Sequence, residues 1–182
     1  LVSVPLNSLV VLKDGPIRVI SDLKGKKVGF SVGGFEEALL SGMLQKYNLK
    51  LSDVDLVNIN FSLSPSLIAK KVDAVIGAFR NFELNQMDIV NHPGRAFYPE
   101  EHGVPTYEEL IYIANQKNKN NPLFDKFFSA IQKATLSIIN DPVSTWKDFS
   151  SYRKGLDDEL NKRAYKDTIS RFALRPQAHD LK

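Results

Sequence analysis

The sequence predicts an α/β fold with a mostly parallel central sheet. Three short segments, apolar or alternating, are typical of strands: residues 27–32 (KVGFSV), 54–60 (VDLVNIN) and 74–78 (AVIGA). A helical segment separates each strand from the next, at residues 35–47 and 66–71. Because strands and helices that alternate in this order form right-handed crossovers, the three strands are expected to run parallel.

The segments at the start of the chain predict smaller elements. Residues 1–12 alternate loosely and predict a strand, residues 14–16 (DGP) predict a turn, and residues 20–25 predict a short helical turn. The helix over residues 35–47 carries apolar residues at helical spacing. It also has two glutamates in its first turn, where carboxylates suit the helix dipole.

The rest of the chain adds two strands and several helices. Ser64 and Pro65 predict the start of the helix at residues 66–71, as an N-cap and a first-turn proline. Residues 96–98 and 111–114 are predicted strands. Further helices are predicted at residues 123–140, 146–152 and 157–172, with Asp141-Pro142 ending the first of them.

The composition excludes several kinds of site. The 182 residues are 43% hydrophobic and 25% charged, as in ordinary globular proteins. They contain no cysteine, so disulfides, thiolate metal sites and cysteine nucleophiles are excluded from them. The net charge of +3 comes with scattered lysines, which argues against a nucleic-acid partner.

Enzyme motifs are also missing from the sequence. It has no glycine-rich phosphate loop, no GxSxG motif and no histidine pair at metal-ligand spacing. His102 in PEEHG could form a metal corner or lie in an exposed loop. We therefore predict no metal site, no cofactor and no catalytic residue.

A small-molecule site is predicted where the parallel strands end. Ligands of open parallel sheets bind beyond the carboxyl ends of the strands, and the three loops there combine glycines, aromatic rings and carboxylates. The candidate ligand-binding residues are Gly33, Gly34, Phe35, Glu36, Phe61, Ser62, Arg80, Asn81, Phe82 and Glu83. Structural alternatives stay open: the glycines can form a plain turn, Glu36 can serve only the helix dipole, Phe61 can lie in the core, and Arg80 can face water.

Several segments resemble a known family. VPLNSLVVLKDGPI, GFEEALL, FRNFE and PEEHGVP are similar to segments of the binding proteins for thiamine pyrimidine precursors, within the type II substrate-binding proteins of ABC importers. The similarity runs over about the whole chain. It implies a type II periplasmic-binding-protein-like fold, in which two lobes, each with a mostly parallel sheet flanked by helices, close on one ligand.

The resemblance also implies a domain division. Residues 1–20 and 104–182 would form a partial lobe 1, and residues 21–103 would form lobe 2. The chain lacks the DWxxN-like strand that opens the family's first lobe and its usual last helix, so we expect a fragment without the N-terminal part of lobe 1 and the C-terminal tail. Exposed apolar edges of such a lobe would favour a dimer or strand exchange.

The function implied by the resemblance is binding rather than catalysis. The protein would bind an aminopyrimidine outside the cytoplasm, in the periplasm or as a membrane-anchored lipoprotein whose targeting signal lies outside this fragment. It would deliver this ligand to an ABC permease for thiamine biosynthesis or salvage. Asn81 and Glu83 would accept hydrogen bonds from the amino group, and Phe82 or Phe79 would stack on the ring.

Further contacts with the ligand are predicted, and two other functions are alternatives. The Gly33-Gly34 pair is expected to donate N–H groups to a formyl or hydroxyl oxygen, and Asn7 and Ser8 to close the site from the other lobe. One alternative is a binding protein for another ligand such as an alkanesulfonate. The other is a pyrimidine-forming enzyme of the same superfamily that uses iron, in which a cysteine-rich motif and a Schiff-base lysine are expected.

Overall fold

The structure is a computed structural model, and it describes residues 2–173. The chain divides into two compact units. Pro5–Tyr107 form the larger unit, and Leu1–Val4 with Glu108–Lys182 form the smaller one. All the candidate ligand-binding residues lie in the larger unit.

A five-stranded sheet organises the larger unit. Its strands are β1 (Asn7–Leu12), β2 (Lys27–Phe30), β3 (Asp55–Asn58), β4 (Ala74–Phe79) and β5 (Gly94–Phe97). The strand order is β3-β2-β4-β1-β5. The strands β3, β2 and β4 run parallel, as predicted, whereas β1 runs antiparallel to both β4 and β5.

Helices pack on the two faces of this sheet. They are α1 (Phe35–Gln45), α2 (Leu63–Ile68) and α3 (Glu83–Ile89). Leu9 and Ile76 join the buried cluster of α1, whereas Val10 and Val75 join the cluster of α2 and α3. Because successive residues of a strand point to opposite faces, the two clusters lie on opposite sides of the sheet. The predicted α/β fold with a central sheet flanked by helices is confirmed.

The limits of the compact units differ from the predicted lobes. Residues 5–20 were assigned to lobe 1, but β1 pairs with β4 and β5 in the larger unit. Residues 104–107 also fall in the larger unit rather than with residues 108–173. The assignment of the units to two lobes stays a prediction, and its part beyond residue 173 lies outside the described residues.

Two local predictions in the larger unit need correction. The helix α2 begins at Leu63 with Ser62 as its N-cap, not at residue 66 with Ser64, which is instead buried inside the first turn. The helix α3 was not predicted at all. It follows β4 after three residues and is only seven residues long, so its periodicity is too short to detect.

The smaller unit contains the three predicted C-terminal helices. They are α4 (Leu123–Asn140), α5 (Pro142–Tyr152) and α6 (Glu159–Thr168). The Asp141 side chain accepts a hydrogen bond from the Ser144 N–H at 3.0 Å and caps α5. The strand predicted at residues 111–114 is wrong: the only pairing of this region in the described residues is an isolated bridge between Val2 and Leu110.

None of the helices within residues 2–173 is long and apolar enough to cross a lipid bilayer.

Candidate functional site

The candidate residues meet at one edge of the sheet. Parallel strands β2, β3 and β4 end there, and so does β5, which is antiparallel to β1. The antiparallel strand β1 begins at the same edge, because Asn7 pairs with Phe79. We call this the carboxyl edge; it consists of residues 5–8, 30–36, 59–62, 77–83 and 98–100.

Glu36 is a buried carboxylate at this edge. It lies in the first turn of α1 with only 5% of its surface exposed, and its Oε2 accepts a hydrogen bond from the Ser31 N–H at 2.7 Å. Burial raises the pKa of the Glu36 carboxyl, although hydrogen bonds from the backbone oppose this shift. Glu36 therefore does more than balance the helix dipole, since it holds the end of β2.

Gly77 makes room for the Glu36 carboxylate. The register of β1 and β4 shifts at Gly77, so this residue is a bulge in β4, and its φ is +101°. A Cβ atom built on Gly77 would collide with the carboxylate of Glu36. Only glycine combines this backbone conformation with so close an approach.

Asn7 and Ser8 fix this bulge from the neighbouring strand. Asn7 Oδ1 accepts a hydrogen bond from the Gly77 N–H at 3.1 Å, and Ser8 Oγ donates one to the Ala78 carbonyl at 2.7 Å. Both side chains are buried. They were expected to close the site from another lobe, but they lie in β1 of the same sheet and stabilise its edge.

Glu83 repeats the arrangement of Glu36 at the end of β4. It opens α3, and its Oε2 accepts a hydrogen bond from the Phe79 N–H at 2.6 Å. Burial raises the pKa of the Glu83 carboxyl, and the hydrogen bond from Phe79 opposes this shift. Asn81 beside it is buried, and the ring of Phe82 is exposed.

Arg80 does not face water, because only 9% of its side-chain surface is exposed. Its guanidinium forms two bonds with the Glu100 carboxylate, at 2.7 and 3.0 Å, and donates to the Asn7 carbonyl at 3.0 Å. It also lies 3.9 Å from the centre of the Tyr98 ring. Arg80 thus ties β4 to the start of β1 and the end of β5, and a bidentate pair of this kind is rigid.

The loop after β3 contains an exposed phenylalanine whose backbone conformation is unfavourable. Asn60 and Phe61 have φ values of +47° and +63°, and the Ser62 N–H donates to the Ile59 carbonyl at 2.9 Å. This is the φ pattern of a type I′ turn, whose central positions favour glycine and asparagine. Phe61 is nevertheless 75% exposed, so it does not lie in the core. A left-handed conformation costs a residue with a side chain about 1–2 kcal/mol.

The glycine pair forms the entry to α1. Gly34 has a φ of +84°, and its N–H donates to Glu37 Oε2 at 2.7 Å, so this N–H is not available for a ligand. Gly33 is exposed. Phe35 is also exposed. Its ring forms an edge-to-face contact with the ring of Tyr107, with centroids 6.1 Å apart and an interplanar angle of 86°.

Three residues that shape this edge were not predicted from the sequence: Ser31, Gly77 and Glu100. A glycine inside a strand often marks a bulge, and that signal was available for Gly77. Ser31 and Glu100 carried no local signal, because their partners Phe61 and Arg80 are distant in sequence.

The described residues offer no cluster of metal-ligating side chains. Among them, His, Cys, Asp and Glu side chains do not form a group of three or more that could hold a metal ion. His102 is neither a metal corner nor an exposed residue. Its Nδ1 lies 2.8 Å from the Tyr47 hydroxyl, and burial lowers the pKa of its imidazole.

The larger unit also has a cavity of about 510 Å³, but not at the carboxyl edge. It lies at the other edge of the sheet, where β1 ends and β4 and β5 begin. We call it the opposite-edge cavity; its walls are residues 11–17 and 91–93 with Leu67, Ile68, Lys70, Val72 and Asp73. None of the candidate residues lines it.

Solved structures share the fold. The alkanesulfonate-binding protein SsuA from Xanthomonas axonopodis pv. citri, bound to MOPS, superposes with a TM-score of 0.68 at 16% identity, over 98% of this chain and 62% of that one. The periplasmic aliphatic sulphonate binding protein SsuA from Escherichia coli gives a TM-score of 0.62 at 18% identity, over 80% of this chain and 50% of that one. The fold is therefore that of periplasmic binding proteins.

Several sequence relatives are named for thiamine biosynthesis or for a pyrimidine. A protein of Haemophilus influenzae named "Putative thiamine biosynthesis protein" is 49% identical over all of this chain and 58% of its own length. The formylaminopyrimidine-binding protein of Halalkalibacterium halodurans is 27% identical over 76% of this chain and 42% of its own. The 4-amino-5-hydroxymethyl-2-methylpyrimidine phosphate synthase of Schizosaccharomyces pombe is 25% identical over all of this chain and 54% of its own.

The chain thus spans about half the length of the curated relatives that it matches. A family profile described as NMT1/THI5 like matches residues 1–145, which is most of the sequence. The chain belongs to the NMT1/THI5-like family.

Proposed function

We propose that the intact protein, at its full encoded length, binds a thiamine pyrimidine precursor of the aminopyrimidine class outside the cytoplasm. It hands this ligand to an ABC permease and catalyses no reaction itself. The family and the relative named for formylaminopyrimidine binding support the ligand class. The likeness to periplasmic binding proteins supports the location and the partner, at the level of the fold.

One observation carries the proposal: three exposed aromatic rings share the carboxyl edge with one buried and one half-buried carboxylate. The side chains of Phe35, Phe61 and Phe82 are exposed on the segments that follow β2, β3 and β4, whereas Glu36 is buried and Glu83 half-buried in the first turns of α1 and α3. A flat heteroaromatic ring can stack on such a face. Its exocyclic amino group can donate to a carboxylate, and a charge-assisted bond of this kind contributes about 1.5–3 kcal/mol.

The backbone of the edge argues against an anionic ligand such as a sulfonate. Anion sites need free N–H donors, but many of those at this edge already have protein acceptors. They include the N–H groups of Ser31, Gly34, Glu36, Ile59, Asn60, Phe61, Ser62, Phe79, Arg80 and Phe82. A sulfonate would also meet two carboxylates, which repel it.

A synthase is the second candidate, because several fungal relatives carry that name. A cysteine-based iron site cannot come from these 182 residues, since they contain no cysteine. Iron content and pyrimidine formation by the purified intact protein would test this candidate. Stoichiometric iron together with pyrimidine formation would favour it over a binding protein.

Isothermal titration calorimetry on the intact protein tests the main proposal. We expect micromolar binding of formylaminopyrimidine or hydroxymethylpyrimidine, which corresponds to about −8 kcal/mol. Under the same conditions we expect no heat from alkanesulfonates or from MOPS. Tight sulfonate binding without any response to the pyrimidines would contradict the proposal.

A further inference from the structure

We propose that Ser31 is the positioning residue that fixes Phe61 as a rigid stacking face for the flat ring of the ligand. Ser31 lies just after β2, and its Oγ accepts a hydrogen bond from the Phe61 N–H at 3.1 Å. This inference rests on the proposed function for the identity of the ligand. The positioning of Phe61 itself can be tested without any ligand.

The turn around Phe61 favours a different residue. The second central position of a type I′ turn requires a positive φ, which glycine adopts without cost. Phenylalanine gains nothing from burial here, because three quarters of its surface is exposed. Local conformational energy and burial therefore both oppose Phe61 in this place, which indicates a role for its ring in binding.

Hydrogen bonds from three directions hold the turn in this conformation. The Ser62 N–H closes the turn on the Ile59 carbonyl at 2.9 Å, and the Asn60 N–H donates to Asn58 Oδ1 at 3.0 Å. Both acceptors belong to the same loop and the end of β3. The Ile59 N–H, which donates to the Phe30 carbonyl at 2.9 Å, ties the start of the turn to β2 through the backbone, and the bond from Phe61 to Ser31 ties its centre to the residue after β2 through a side chain.

Ser31 connects the loop of Phe61 to the buried carboxylate of Glu36. Its N–H donates to Glu36 Oε2 at 2.7 Å, while its Oγ accepts from Phe61. One residue thus sets the loop after β3 relative to a buried carboxylate of α1. A face that is fixed before the ligand arrives loses less conformational entropy on binding, and affinity increases accordingly.

The binding test uses the intact protein with formylaminopyrimidine or hydroxymethylpyrimidine as the probe. We expect Ser31→Ala to weaken binding about tenfold, whereas Ser31→Thr, which keeps the hydroxyl, restores most of the affinity. Ser21→Ala is the matched control, since Ser21 is an exposed serine far from this edge in the fold, and its affinity should equal that of the wild type.

A double-mutant cycle separates positioning from direct contact. If Ser31 acts through the ring of Phe61, then Ser31→Ala should change little once Phe61→Leu has removed that ring. Independent losses that add up in the double variant would overturn the proposal. Loss of affinity in Ser31→Thr equal to that in Ser31→Ala would also overturn it.

Hydrogen exchange without ligand decides the positioning by itself. The Phe61 amide should exchange faster in Ser31→Ala than in the wild type or in Ser31→Thr, because it loses its acceptor. Unchanged exchange at Phe61 overturns the positioning role. If the wild type binds no aminopyrimidine, the proposed function fails, and the exchange rates still support or overturn the positioning of Phe61.

Discussion

Residues with positive φ angles occur at both edges of the central sheet, but for different reasons. At the opposite-edge cavity, Lys70 and Asn91 have φ values of +56° and +59°. Each follows the end of a helix, where Lys71 N–H donates to the Ser66 carbonyl and His92 N–H to the Met87 carbonyl. These are the bonds of Schellman motifs, so helix termination alone explains the positive φ angles.

The carboxyl edge has no such explanation for its strain. Phe61 occupies a turn position that favours glycine, and the bulge at Gly77 lies inside a strand rather than at a helix end. The carboxylates of Glu36 and Glu83 also accept hydrogen bonds from N–H groups at the ends of strands there. Cavity volume is therefore a poor guide to the binding site in this unit. Positive φ angles that helix termination does not explain occur at the carboxyl edge and not at the opposite-edge cavity.

The largest expected effect is the loss of stability on Gly77→Ala. Alanine would keep a positive φ, and its Cβ would collide with the Glu36 carboxylate. We expect the free energy of unfolding of the intact protein to fall by about 3 kcal/mol, measured by urea denaturation. The matched control is Gly25→Ala, where φ is +72° and no atom lies within 4 Å, so the loss should be about 1–2 kcal/mol. Equal losses would show that Gly77 does not accommodate Glu36.

The next prediction compares how ligand affinity responds when a carboxylate is replaced by its amide at each of the two edges. Glu83 accepts a hydrogen bond from the Phe79 N–H at the carboxyl edge, and Asp73 accepts one from the Lys27 N–H at the other. Glu83→Gln should weaken aminopyrimidine binding about tenfold, or roughly 1.4 kcal/mol, because a charged acceptor becomes neutral. Asp73→Asn should leave the affinity unchanged in the same calorimetric titration. The reverse pattern would move the site to the opposite-edge cavity.

The elements that the sequence predicted correctly are those with a local signal. The strands β2, β3 and β4 and the helices α1 and α4 have apolar periodicity within their own residues. The strand at the start of the chain was predicted, but its partners were not, because pairing of β1 with β4 depends on residues about 70 positions away. Residues 111–114 are apolar but do not form a strand. A strand requires a neighbouring strand to pair with, which the local sequence does not reveal.

The candidate site shows the same limit. The rule that ligands bind at the carboxyl ends of parallel strands was enough to select Glu36, Phe61 and Glu83. It could not show which side chains hold the edge together. Arg80 stays a predicted ligand contact, and its bonds with Glu100, which lies 20 positions away in the sequence, emerge only from the fold.

A smaller effect should separate strain that serves binding from strain that serves a helix end. Phe61→Gly removes an unfavourable φ but adds glycine's entropy in the unfolded chain, so stability should rise by about 0.5–1 kcal/mol. Lys70→Gly should give a similar gain in urea denaturation, because glycine is favoured after a helix. Only Phe61→Gly should weaken aminopyrimidine binding. Equal affinities in both variants would remove Phe61 from the site.

The smallest effect is a dependence of stability on pH that originates at the carboxyl edge. Burial raises the pKa of both Glu36 and Glu83 in the folded protein. The folded state then binds more protons than the unfolded state between the ordinary glutamate pKa and the raised one. Through this window the free energy of unfolding should fall as the pH rises, because ∂ΔG/∂pH follows the protons bound by the unfolded state minus those bound by the folded state.

Other carboxylates act in the opposite direction, so the measurement must be a difference. Hydrogen bonds from the backbone of Arg18 and Val19 lower the pKa of Asp22, for example, which makes stability rise with pH in its own range. Glu36→Gln keeps an acceptor for the Ser31 N–H but removes the titration. Urea denaturation of the wild type and of Glu36→Gln from about pH 4 to 7 should therefore show the wild type losing stability relative to the variant as the pH rises. A difference that stays constant, or that grows in favour of the wild type, would mean that burial does not control this carboxylate.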